Sequence, residues 1–218
     1  MTKLLHYPQR IVRKCRQLVV SGVVARHLRD YAAIDGWLTP TEAYGLYKIA
    51  GKLKPGAAVV EIGSWKGKST LCLARGLKSG VLHCIDPFNA AGEAESQVIY
   101  ESTKGEESLL AQFQRNVKNI PDSVTVQVHC GYSDAFVGQI PAIDSLFIDG
   151  DHSVEGCRFD YENYAPFIAS NGFLAFHDYY PDQKAFGPTW VIDQLVKKNQ
   201  AFVFYRTFDS LQVFRKQA

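Results

Sequence analysis

No apolar run in this sequence approaches the roughly 20 residues needed to cross a bilayer, so no transmembrane helix is expected. No charge sign dominates either: 24 Lys and Arg against 22 Asp and Glu leave a formal net charge of +2. Bulk charge therefore argues neither for nor against a nucleic-acid partner. The cysteines Cys15, Cys72, Cys84, Cys130 and Cys157 are odd in number, widely spaced and without a C-x-x-C pair. A disulfide framework does not fit them, and buried reduced thiols are expected. Lys3 and Leu4-Leu5 lead into no long apolar stretch and no small-residue cleavage site. No signal peptide is expected, and a cytoplasmic location follows. Internal repeats and low-complexity segments are absent as well.

What is present suits one sizeable core: 218 residues, 46% hydrophobic and 21% charged. Residues 1–36 stand apart. Lys3, Arg10, Arg13, Lys14, Arg16, Arg26 and Arg29 face only Asp30 and Asp35, with apolar positions at roughly helical spacing. That pattern predicts one or two amphipathic helices. The segment would serve as a lid over a substrate site or a surface meeting a membrane or partner; the plainer alternative is a cap packed on the core. Thr39-Pro40-Thr41-Glu42 then reads as a helix start, with Thr39 as N-cap and Glu42 closing a capping box.

From Val59 onward, apolar strands alternate with apolar-periodic helices. The expected strands run from Val59, from Val81, from Val124 to His129, from Ser145 and from Phe173. Two further strands, Ala201 to Arg206 and Leu211 to Phe214, are joined through Asp209-Ser210. This order predicts an α/β fold with a doubly wound, mainly parallel seven-stranded sheet and a C-terminal antiparallel hairpin. Residues 87–105 are expected to form a long mobile loop.

The centre of the pattern is Val59-Val60-Glu61-Ile62-Gly63-Ser64-Trp65-Lys66-Gly67-Lys68-Ser69-Thr70, read as strand, tight glycine turn and helix. It is one residue short of a phosphate loop, G-x-x-x-x-G-K-[ST]. Trp65 stands where G-x-G-x-x-G needs its second glycine, which disfavours a dinucleotide site. The template E/D-x-G-x-x-x-G fits. Ligands of such sheets bind beyond the carboxyl ends of the strands. Those ends carry Glu61 and Gly63, Asp86, Gly131 to Asp134, Asp149 to His152, and His177-Asp178. So many carboxylates on one sheet edge repel one another unless a sulfonium, an amino group, ribose hydroxyls or a metal ion compensates them.

Taken with Gly36-Trp37-Leu38-Thr39-Pro40, Cys84-Ile85-Asp86-Pro87-Phe88, Phe147-Ile148-Asp149-Gly150-Asp151-His152-Ser153 and Ala175-Phe176-His177-Asp178-Tyr179, this series resembles the class I S-adenosylmethionine (SAM)-dependent methyltransferases. The resemblance is to the group that includes cephalosporin-hydroxylase-like and macrocin O-methyltransferase-like proteins. It covers roughly residues 36–215 and leaves the first 35 unexplained; the expected division is the basic helical segment 1–36 and a SAM-binding methyltransferase domain 37–218 in the Rossmann-like arrangement. It implies that the turn with Gly63, Ser64 and Gly67 carries the methionine end of SAM, with Glu61 near its ammonium group. It implies further that Asp86, followed by Pro87, takes the ribose hydroxyls, that Tyr132 and Ser133 edge the adenine, and that Asp149 lies beneath the methyl donor. Phe88 and Tyr132 are candidates for the adenine walls.

In related O-methyltransferases, catechol O-methyltransferase among them, an acid at one strand end and two residues at the next bind a divalent cation. The matching positions are Asp149, His177 and Asp178. Magnesium prefers oxygen ligands, so His177 is a departure that suits a softer transition metal or no metal. His152 and His177, with Asp149, are candidates for removing the acceptor's proton. The implied activity is SAM-dependent O-methylation of a small molecule such as a sugar or secondary metabolite. The alternative is a protein of the same fold that binds SAM or another nucleoside without turnover. Nucleic acid is not expected as a substrate, since no N/D-P-P-Y/F signature is present. A homo-oligomer and peripheral membrane contact by the N-terminal segment remain open partners.

Overall fold

A computed structural model describes residues 6–92 and 94–218, with side chains described outside residues 6–16, 94 and 95. The expectations at Lys3 and at the side chain of Cys15 lie outside the described residues. The chain opens with helix α1 (His6–His27) and a 3₁₀ turn at Arg29–Ala33, then α2 (Pro40–Ala50) and β1 (Ala57–Ile62). It continues through α3 (Lys68–Gly76), β2 (Gly80–Asp86), α4 (Ala94–Thr103), α5 (Leu109–Asn116) and β3 (Val124–Cys130). It ends with β4 (Ile143–Ile148), α6 (Val154–Tyr164), β5 (Ile168–Phe176), α7 (Gly187–Gln194), β6 (Phe202–Phe208) and β7 (Leu211–Lys216).

The strands form one seven-stranded sheet in the order β3-β2-β1-β4-β5-β7-β6. β3, β2, β1, β4 and β5 are parallel, while β7 runs antiparallel to both β5 and β6. The order reverses between β1 and β4, so a crevice opens beyond their carboxyl ends. Alternation along the strands supplies two cores. Val59, Phe147, Ala175 and Val213 face the layer containing α2 and α3. Val60, Ile62, Leu146, Ile148, Leu174, Phe176 and Phe214 face α6 and α7.

Local sequence explains the elements that frame the crevice. The α2 capping box forms in both directions: Glu42 N–H donates to the Thr39 hydroxyl and Thr39 N–H donates to the Glu42 carboxylate. Ser153 caps α6 by accepting from Gly156 N–H at 3.0 Å.

Three expectations are corrected. Residues 87–105 are not one long loop, because Ala94–Thr103 is helical; Ile99 and Tyr100 line the site while Val98 is exposed, so the sequence there carries little amphipathic signal. β5 starts at Ile168, before Asn171-Gly172, because residues 169–172 bulge opposite Asp144 while Ile143 pairs with Ile168 and Ser145 with Phe173. Cys72, Cys84 and Cys157 are buried free thiols as expected, but Cys130 is exposed at the end of the edge strand β3. No helix among the described residues is long and apolar enough to cross a membrane.

Candidate active site

A cavity of about 960 Å³ occupies the crevice, within the range of small-molecule sites. Its floor is the β1 turn and the carboxyl ends of β2, β4 and β5. Its walls come from Gly36 to Leu38, from α4 and from α6. No described residue of α1 lines it. Gly63, Ser64, Asp86, Pro87, Tyr132, Ser133, Asp149, His152, His177 and Asp178 all lie on its wall, so ten of the expected site residues converge there.

Glu61 and Gly67 do not line it. Gly67 sits at the N-terminus of α3 with φ +85, and a Cβ there would press on Val117 and Phe113. Its place is structural. The Glu61 side chain faces α3 instead of the cavity and is fully buried. There it accepts hydrogen bonds from the Ser64 and Thr70 hydroxyls. Burial raises its pKa from the ordinary 4.5 to about 7, against hydrogen bonds that lower it. A carboxyl group raised above its unfolded value stabilises the fold at low pH and loses that contribution as pH climbs through about 7. Glu61→Gln keeps the acceptor oxygen and removes the charge. It should therefore stabilise the protein at about pH 8, by up to about 3 kcal/mol, and shift stability little at about pH 5. Denaturant midpoints at the two pH values check this; equal midpoints at the higher pH reject it.

Asp86 is nine-tenths buried and ties the turn to β2. One oxygen accepts from Ser64 N–H at 2.9 Å and Trp65 N–H at 2.8 Å, and the other from Phe88 N–H at 2.6 Å. A carboxylate offers about four acceptor positions, so three backbone donors leave it room for one ligand hydroxyl rather than two. Burial raises its pKa, against those three N–H donors. Phe88 turns from the cavity to pack on Phe113, with ring centroids 5.2 Å apart. At the opposite end Ser133 donates to Asp160 at 2.5 Å, and the Tyr164 hydroxyl donates to the Ser133 carbonyl at 2.6 Å. Asp160 is buried on the cavity wall, and burial pushes its pKa to about 7.

The β4 and β5 ends carry a charged cluster. His177 Nδ1 lies 3.1 Å from Asp149 and 3.2 Å from Asp178, and its Nε2 lies 3.3 Å from Glu42. Burial alone would lower the His177 pKa, but these carboxylates raise it well above the usual value. With carboxylates at both nitrogens, His177 is favoured as a buried imidazolium, which makes it a poor acceptor for an incoming proton. Glu42 anchors the far side. Burial opposes its ionisation, yet His177, Ser210 and Thr39 N–H bring its pKa to about 2. Burial likewise would raise the Asp149 pKa, but His177 and His152 hold it low. His152 Nε2 reaches 3.4 Å from Asp178 and 3.7 Å from Asp149, and its ring stacks on Phe186. Among the described residues, Asp149, His152 and Asp178 could share a metal, since their ligand atoms lie within 4.8 Å of one another. The expected set of Asp149, His177 and Asp178 is also brought together, with His177 Nδ1 against both carboxylates, so either imidazole could join Asp149 and Asp178.

Two lysines of the turn hold the roof. Lys66 Nζ donates to Asp35 at 3.0 Å and to the Thr103 carbonyl at 2.7 Å, and Lys68 Nζ donates to the Gly36 carbonyl at 2.9 Å. Trp37, Trp65 and Tyr100 pack into one aromatic cluster, with ring centroids 5.4 to 5.8 Å apart. Glu42, Asp160 and Tyr100 were not singled out from the sequence as site residues. Only Glu42 left a signal there, as the capping-box residue.

A family model described as a methyltransferase domain matches residues 60–179, more than half of the chain. The chain belongs to this family, within the class I methyltransferases that its motifs resemble. Solved structures with the same fold include a protein from Corynebacterium glutamicum, with TM-score 0.62, 17% identity and coverage of 95% of this chain and 98% of that one. The O-methyltransferase NovP matches with TM-score 0.59 and 16% identity over 82% of this chain and 81% of its own. TomG from Streptomyces achromogenes, an O-methyltransferase involved in tomaymycin synthesis and solved with SAM, matches with TM-score 0.56 and 13% identity over 91% and 89%.

Proposed function

We propose that this chain is a SAM-dependent O-methyltransferase acting on a small molecule. The observation that carries the reading is the cavity at the β1–β4 reversal, with the glycine turn and Asp86 on one side and the Asp149–His152–Asp178 cluster on the other. Support for SAM comes from the family and from the fold shared with TomG, which was solved with SAM. The fit of the residues also supports it. Three carboxylates, Glu42, Asp149 and Asp178, surround a single imidazolium, so the cluster welcomes a further positive charge such as a sulfonium. Asp86 retains one acceptor position for a ribose hydroxyl. Ser133 and Asp160 form the polar edge for a purine amine, with Tyr132 beside them.

Bound SAM supplies an electrophilic methyl group, which an acceptor oxygen takes as the carbon–sulfur bond breaks. The chain's own task is to hold the acceptor in line and receive its proton. His152 is the group for the proton, since His177 is already protonated and Asp149 is held as a weak base. The acceptor side is aromatic and apolar (Trp37, Trp65, Ile99, Tyr100), which suits a flat or sugar-ring substrate. If a divalent ion binds, Asp149, His152 and Asp178 would hold it, and the imidazole favours a transition metal over magnesium. One His152 lone pair cannot serve both the ion and the proton.

Calorimetric titration tests both points. SAM and S-adenosylhomocysteine should bind and NAD should not; failure of both sulfur nucleosides to bind rejects the reading. Separate titrations with magnesium, manganese and zinc decide the role of His152. Heat that disappears in His152→Gln makes it a ligand, and heat that is absent or unchanged in that variant rejects the ligand role.

A further inference from the structure

α1 carries an apolar stripe that faces away from the rest of the protein. Its inner row is Val20, Val24 and Leu28, spaced four apart; Leu28 and Val20 are buried, and Val24 packs against the core. The opposite side exposes Leu18 at 72% and Val19 at 53%, together with Gly22 and Ala25. A helix that only caps a core has no reason to place a second apolar stripe outward.

The charge on this segment selects the occupant. The first 29 residues carry seven Lys or Arg and no Asp or Glu, although the whole chain is nearly neutral at +2. A second copy of the helix would set cations against cations with no acid to offset them. A nucleic acid would match the charge and leave the apolar stripe in water. One acidic patch on a protein would match the charge of the segment and leave Leu18 and Val19 in water. A planar anionic surface with an apolar interior matches both features. The stripe enters the headgroup boundary, and the lysines and arginines lie along the phosphates with their stems buried.

We propose that α1 docks this protein on anionic phospholipid bilayers, with Leu18 and Val19 inserted and the basic charge of the segment drawn to the headgroups. This inference is independent of the reaction assigned to the cavity, because no described residue of α1 lines it.

Vesicle flotation of the full chain tests it. Vesicles containing phosphatidylglycerol should carry the protein, and vesicles of phosphatidylcholine alone should carry roughly tenfold less or fainter amounts. High salt should reduce binding to the anionic vesicles without abolishing it, since the apolar contact persists. The double variant Leu18→Asp, Val19→Asp should lose roughly tenfold or more of that binding. Both side chains are solvent-exposed, so circular dichroism and SAM titration should match the unsubstituted protein. Absence of binding to anionic vesicles overturns the proposal, as does binding that the double variant retains. Sedimentation velocity supplies the competing outcome: a dimer that the double variant converts to monomer, with no vesicle binding, means the stripe belongs to a second copy.

Discussion

Replacing His152 with glutamine should lower methyl-transfer turnover by about 10²–10⁴-fold and leave SAM affinity nearly unchanged. The argument is one of elimination among charged neighbours. His177 meets carboxylates at both nitrogens, at 3.1, 3.2 and 3.3 Å. It keeps its protons and cannot take another. Burial opposes the ionisation of Asp149, but the His177 charge above all holds it ionised, which makes it a poor acceptor for a hydroxyl proton. On the proposed reading, His152 is the remaining candidate for the base on this wall. It is oriented by Asp149 and Asp178 on one side and stacked on Phe186 on the other. Glutamine preserves size and hydrogen bonding and removes the basicity.

His177→Gln provides the contrast. It strips the compensating charge from Glu42, Asp149 and Asp178, so it should reduce stability and turnover together, because a buried charge that loses its partner is strongly destabilising. Thermal denaturation and single-turnover kinetics on both variants separate a base from a structural cation. Unchanged turnover in His152→Gln rejects His152 as the base.

The sequence made the sheet edge legible because each relevant strand is a short apolar run that stops at a polar residue. Asp86, Asp149 and His177 could be aligned from those stops alone, and the reversal between β1 and β4 brings the last two beside the glycine turn. Partnership across long separations was not legible. Glu42 reads locally as an N3 capping residue, and it is that. Its second role, as the counter-ion of His177, depends on α2 packing against the β5 end and the β6–β7 loop, where Ser210 also donates to it. Asp160 sits in a helix whose sequence looks like any amphipathic surface, and its burial follows from the position of Ser133 at the end of β3. Glu61 misled for a different reason. Its place beside Gly63 in the motif suggested ligand contact, but alternation along β1 points residue 61 to the α3 face, with Val59. Period-two geometry, applied strictly, would have turned it away from the cavity.

Gly63→Ala should be among the most damaging single-methyl changes in the protein, and it falls at the candidate site. Gly63 has φ +85, a conformation in which an alanine is strained by about 1–2 kcal/mol. A Cβ at this position would also overlap the Asp149 carbonyl and press on Gly150. Both are backbone groups of β4's end, with no rotamer to yield. The close approach is fixed by Asp149 N–H donating to the Ile62 carbonyl at 2.9 Å and Gly63 N–H donating to the Ile85 carbonyl at 2.9 Å. Relief requires the β1 and β4 ends to separate, and that moves the glycine turn and Asp149 at once.

Gly56→Ala isolates the strain. Its φ is +81, but nothing lies within 4 Å of the added Cβ. It should cost about 1 kcal/mol and leave SAM binding intact. Gly63→Ala should cost more than about 4 kcal/mol and weaken SAM binding by roughly 100-fold or more if it folds. Chemical denaturation of both variants, with SAM titration of whichever remain folded, gives the difference between them. Equal losses would mean that the β1–β4 contact tolerates a methyl group, and that the turn is set by backbone conformation alone.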